Sequence, residues 1–102
     1  MLEGSEMRVP RWNHAASLLP DGSVLIVGGF TRIGRNTVTT DVIERYLASN
    51  MTMEVVGTLR HGRALHTTEL LDDGSTLVIG GYEQKAGEEK TYVRDCEIIP
   101  PQ

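Results

Sequence analysis

This sequence has one cysteine, no surplus of positive charge and no long apolar run. A lone Cys96 rules out an internal disulfide and a cysteine-rich metal framework, so the fold must rest on packing. Ten basic residues against 14 acidic ones, a formal charge of -4, provide no broad cationic surface, which argues against nucleic acid and anionic membranes as partners. No stretch approaches the roughly 18 to 20 apolar residues that span a bilayer, and the opening MLEGSEMRVP lacks an apolar signal core. The expectation is a soluble chain of unassigned compartment. With 102 residues, 39% hydrophobic and 24% charged, it has room for one small globular domain.

What the sequence does have is a repeat. A shift of 52 positions lays Arg8 on Arg60, Arg11 on Arg63, His14 on His66, Asp21-Gly22-Ser23 on Asp73-Gly74-Ser75, Gly28-Gly29 on Gly80-Gly81 and Phe30 on Tyr82. One structural unit is used twice. Within each unit an Asp-Gly dipeptide stands between two apolar runs, a strong hairpin signal. It predicts Ala15 to Leu19 pairing with Val24 to Gly28, and Thr67 to Leu71 with Thr76 to Gly80. The runs VLIV and TLVI are apolar on both faces, which suits strands buried between neighbouring sheets.

After the glycines come polar stretches, Thr31 to Thr40 and Glu83 to Thr91, read as long exposed loops. Third strands follow at Asp41 to Leu47 and Val93 to Ile99, with Glu44 aligning with Glu97 after a one-residue loop difference. A fourth strand, Met53 to Gly57, is evident only in the first unit; the second runs out at Pro100-Pro101-Gln102.

These features resemble the kelch repeat of bacterial-type or galactose-oxidase-like β-propellers, in which each unit of about 50 residues forms a four-stranded blade. The resemblance rests on the Arg-x-x-His segments, the Asp-Gly turns, the apolar strand running into Gly-Gly plus an aromatic residue, and "ERY". It spans residues 8 to 99. The chain departs from the pattern where Met53 or Val55 replaces a tryptophan late in the blade, and where Ile98 and Ile99 replace the tyrosine after Glu97. The resemblance implies an all-β fold of two four-stranded antiparallel blades, residues 8–58 and 59–102. Residues 1–7 are then a tag or a segment that closes a blade. Two blades cannot close a ring, since propellers use about four to eight. The rest must come from copies of this chain, three or four of them, or from the remaining blades of a longer propeller.

Repetition sorts the candidate residues. Gly28, Gly29, Gly80 and Gly81 sit where a chain bends or another backbone approaches, and neither pair opens a helix as a phosphate loop does. His14 and His66 are equivalent and suit a blade-building hydrogen bond. His61 has no counterpart, Val9 standing at its place, so three histidines do not make a ligand set; no metal or cofactor is expected. Arg11 and Arg63 are expected to bridge to Glu44 and Glu97. Cys96, in a strand, is expected to be a small buried apolar side chain. Asn50-Met51-Thr52 matches a glycosylation sequon, relevant only to a secreted eukaryotic chain. Trp12 reads equally well as a contact residue or as a packed cap.

The loops do not repeat although the strands do, as expected of a recognition surface on a repeated scaffold. Their candidate binding residues are Arg32, Arg35, Asn36, Glu83 and Lys85. The expected function is a non-catalytic scaffold for a protein or other ligand. The alternative that the resemblance implies is part of a kelch-type enzyme, a copper-radical oxidase or a sugar isomerase. Tyr46, Tyr82, Tyr92, Cys96 and the histidines match no catalytic motif of that kind. A third class is a structural or engineered fragment, made to ask how propellers assemble from parts.

Overall fold

The structure, a computed structural model, describes residues 11–47 and 49–102. The segment 1–7 and Arg8 lie outside them. Every regular element described is a β-strand. The first sheet has the order β1-β2-β5-β6, formed by β1 (Ala15–Leu18), β2 (Val24–Val27), β5 (Val42–Leu47) and β6 (Thr52–Thr58), all antiparallel. The second sheet repeats the first three positions with β7 (Thr67–Leu70), β8 (Thr76–Ile79) and β11 (Cys96–Ile99), in the order β11-β8-β7. Between the main strands of each unit lies a smaller ribbon: β3 (Phe30–Ile33) with β4 (Asn36–Thr39), and β9 (Tyr82–Glu83) with β10 (Thr91–Tyr92).

The Asp-Gly turns form as their chemistry dictates. Asp21 accepts hydrogen bonds from the Ser23 amide and hydroxyl, and Asp73 accepts the same pair from Ser75. Gly22 and Gly74 supply the positive φ, +90° and +88°. The hydrogen bonds from serine hold both carboxyls below their ordinary pKa, so each turn stays anionic and hydrogen-bonded near neutral pH.

The copies agree in register. Ile26 lies opposite Glu44 and Val78 opposite Glu97. Because side chains alternate along a strand, this places Leu25, Val27 and Ile43 on one face of the first sheet and Ile26, Glu44 and Tyr46 on the other. The first face packs against the second unit. Leu25, Val27 and Ile43 join Val78 and Ile99, with Leu19 and Leu59, in one apolar core. The other face carries a smaller cluster of Ile26, Tyr46 and Met53. Met53, on β6, thus packs against Ile26 and Tyr46.

Five expectations need correction. Thr31 to Thr40 is not a loop: it is mostly the β3–β4 hairpin, with a two-residue connection whose first residue, Gly34, has φ +62°, the residue choice of a type II′ turn. Likewise Glu83 to Thr91 begins and ends in a short β ladder with its neighbours. The third strand of the second unit is Cys96–Ile99, shorter than Val93 to Ile99, and its Cys96 is exposed rather than buried. Finally, β8 is less buried than β2: Ile79 is 37% exposed where its equivalent Val27 is 0%. The exposure of Cys96 and of Ile79 has one cause. The core-facing side of the second sheet is covered by the first unit, while its far side, with Ile79, Cys96 and Ile98, has no third sheet against it among the described residues.

Candidate functional site

The repeated polar residues turn inward. Arg11 donates from Nη1 to the carbonyls of Gly28 (2.9 Å) and Val42 (2.8 Å), and from Nη2 to Glu44 Oε1 at 2.5 Å. Both side chains are fully buried. Arg63 repeats the arrangement: Nη1 reaches the carbonyls of Gly80 and Asp95, and Nη2 reaches Glu97 Oε2 at 2.6 Å and Asp95 Oδ1 at 3.2 Å. Glu97 also accepts from the amides of Arg60 and His61. Each guanidinium fork therefore ties the strand end at the first glycine to the third strand, in a geometry suited to arginine's planar donors.

The two glycines of each pair have different work. At the second, Gly29 and Gly81, an added Cβ would meet the unit's own incoming strand: the Trp12 carbonyl at 2.8 Å, or the Ala64 carbonyl at 2.6 Å. That contact is internal to a unit and occurs twice. At the first, Gly28, an added Cβ would meet residues of the other unit, the Arg63 carbonyl at 2.5 Å and His66 Cε1 at 2.8 Å. At its equivalent, Gly80, nothing lies within 4 Å.

His66 shows what the junction requires. Its Nε2 lies 2.8 Å from the carbonyl of Val27, so Nε2 carries the proton and donates. Nδ1 is buried with no partner among the described residues. A second proton there would be a buried, unsatisfied charge beside Arg63 and near His14. Desolvation above all lowers the pKa to about 4, against the favourable carbonyl contact. His14 is exposed, with a pKa lowered by desolvation and by Arg11. The junction is closed by backbone bonds from the Gly29 amide to the Arg63 carbonyl (2.7 Å) and from the Leu65 amide to the Asn13 carbonyl (3.2 Å).

The pH consequence has a definite sign. The His66 pKa is depressed on folding, so between its ordinary value and about 4 the unfolded chain binds more protons. Stability is then full above about pH 6.5 and lost as pH falls toward 4, by about 3 kcal/mol in total. Urea unfolding at pH 7 and pH 4.5 should show the loss, and His66→Gln should flatten it. An unchanged slope in that variant would remove His66 as the cause. The turn aspartates titrate lower still, outside this window.

The unrepeated residues lie elsewhere. The two ribbons meet where Thr39 and Gln84 exchange hydrogen bonds, Thr39 N to Gln84 O and Gln84 N to Thr39 Oγ1, each 2.9 Å. Lys90 sits 5.6 Å from the Phe30 ring centroid, adding a cation–π contact across the units. Beside this meeting point runs an open groove of about 290 Å3, bordered by Asp41, Arg60, Glu83 and Lys85 among others. Of the loop candidates, Glu83 and Lys85 therefore line the groove. Arg32, Arg35 and Asn36 are exposed on the β3–β4 hairpin and do not. Sequence reading took Asp41 only as a strand start and Arg60 only as a repeated position; their place at the groove emerges only when β4 and β9 are brought side by side. His61 stands 3.7 Å from Glu83 and 3.9 Å from Asp95. Among the described residues no group of three or more His, Cys, Asp or Glu side chains could hold a metal ion.

No protein-family model matches the chain, and no curated protein matches it. Solved structures do. The structure of YjhT, a kelch-repeat propeller protein, matches with a TM-score of 0.66 and 22% sequence identity, over 74% of this chain and 22% of that one. The chain thus spans less than a quarter of the length of that protein. At this identity the likeness concerns the fold: the chain is all-β with antiparallel sheets, and it matches part of a larger propeller chain.

Proposed function

We propose that the chain is a non-catalytic kelch-type propeller module serving as an interaction scaffold, in which the repeated residues build the blades and the unrepeated ribbons hold a protein or other ligand. One observation supports this most directly: Arg11, Glu44, Arg63, Glu97 and His66 are buried in structural contacts, whereas the groove between the ribbons is open and carries both signs of charge. Such a groove suits a polar segment with its own mixed charges, because opposite charges at the rim set register and partner choice.

A displayed random-peptide library selected against the chain tests this. Selected peptides are expected to lose at least tenfold in affinity on Glu83→Lys or Lys85→Glu, and to be indifferent to changes at the distant Asp21 turn. Peptides insensitive to both groove reversals would sink the reading.

A further inference from the structure

We infer that Glu83 anchors a basic side chain of a bound peptide, an arginine or lysine flanked by acidic residues, at a wall shared by the groove and a second opening beside it. The inference deepens the groove reading and rests on it for the presence of a bound segment.

Glu83 is left wanting a donor. Its side chain is only 22% exposed, yet among the described residues its carboxylate makes no hydrogen bond, and its one ion-pairing neighbour, His61 Nδ1, stands 3.7 Å away, beyond hydrogen-bond reach. A carboxylate so largely covered costs free energy until a cation or a donor meets it. The neighbouring arginines are engaged elsewhere. Arg60 and Arg63 both turn to Asp95, at 3.3 and 3.2 Å, and Arg63 also to Glu97. Nor does the repeat call for an acid here: 52 positions earlier stands Thr31, and the counterpart of His61 is Val9. Blade building accounts for Glu97, whose equivalent is Glu44, but not for Glu83.

The surroundings define the rest of the ligand. On one side Glu83 borders the groove together with Lys85; on the other it borders an opening of about 290 Å3 together with Tyr92, Arg94 and Asp95. Lys85 and Arg94 are exposed and form no ion pair among the described residues. A segment crossing both openings therefore meets a cation, an anion and a cation, so the complementary order is acid, base, acid. Tyr92, 72% exposed and stacked on Tyr82 with ring centroids 4.6 Å apart, offers a ring in the same opening against which a guanidinium can stack. That favours arginine over lysine as the central residue.

Two synthetic peptides test this: acetyl-Glu-Ala-Arg-Ala-Glu-amide, whose charges share one face of an extended chain, and the same peptide with alanine in place of arginine. Each is titrated into the wild-type chain and into Glu83→Gln while amide NMR shifts are recorded. The arginine peptide is expected to bind wild type at least tenfold more tightly than the alanine peptide, as a charge-assisted hydrogen bond should provide, and Glu83→Gln should erase that difference. The variant removes no hydrogen bond, so its urea midpoint should match wild type, and the change on the peptide needs no variant at all. Equal binding of the two peptides to wild type overturns the inference. So does a difference that persists undiminished in Glu83→Gln, or an arginine peptide that does not bind at millimolar concentration. Library peptides that depend on Lys85 but carry no basic residue would also overturn it while leaving the groove reading in place, whereas peptides indifferent to both groove reversals would remove the groove reading and this inference with it.

Discussion

Replacing Arg63 with alanine is expected to lower the unfolding free energy by about 3 to 5 kcal/mol, because it leaves the Glu97 carboxylate buried without its main counter-charge. Arg63 is 0% exposed and Glu97 8%. The guanidinium also holds the carbonyls of Gly80 and Asp95, which would lose their donor. Domains of this size have a total stability of about 5 to 15 kcal/mol, so the single variant should be largely unfolded in mild urea. Lysine should rescue little, since one ammonium cannot span two carbonyls and two carboxylates in a planar fork. The double change Arg63→Met with Glu97→Leu should recover most of the loss, because a buried pair exchanged for apolar groups of similar volume is often neutral. A loss below about 1 kcal/mol for Arg63→Ala, or a double variant no better than the single one, would show that the pair is not what holds β11 in place.

Gly28→Ala and Gly80→Ala form the second test, since they are the same change at equivalent places. Both residues have positive φ, +65° and +67°, so both variants bear the strain of a side chain in the left-handed region, about 1 to 2 kcal/mol. Only at Gly28 does the methyl also run into the Arg63 carbonyl and His66. Backbone cannot rotate away as a side chain does, and forcing the units apart adds roughly 1 to 3 kcal/mol. Urea midpoints of the two variants under dilute conditions should therefore separate clearly, with Gly28→Ala the weaker. Equal midpoints would mean that the contact at Gly28 carries no energy. Heating would give the same order.

Much of this was legible in the residues. The Asp-Gly-Ser turns, the paired glycines and the recurring Arg and Glu led to the strand order, because each has a local or repeated chemical reason. The β3–β4 hairpin was not legible. Its residues, FTRI and NTVT, are polar because little covers a projecting ribbon, and Val38 is one of only two apolar positions in it that are buried, with Phe30. Nor was the exposure of Cys96, since strand periodicity tells which residues share a face but not whether a neighbour covers that face. The groove is a third case. Asp41 and Arg60 belong to different units and meet Glu83 and Lys85 only through the pairing of Thr39 with Gln84.

The likeness of the two hairpins creates a hazard that their turns contain. Because β1 and β7 face such similar partners, β1 has the chemistry to accept β8 in place of β2, exchanging strands between the copies. Its own partner begins after five residues, Leu19 to Ser23, whereas the loop to β8 is roughly ten times longer, which adds about 2 kcal/mol of closure entropy against the exchange. Proximity along the chain, more than any difference between the strands, keeps each copy faithful to its own hairpin while it folds.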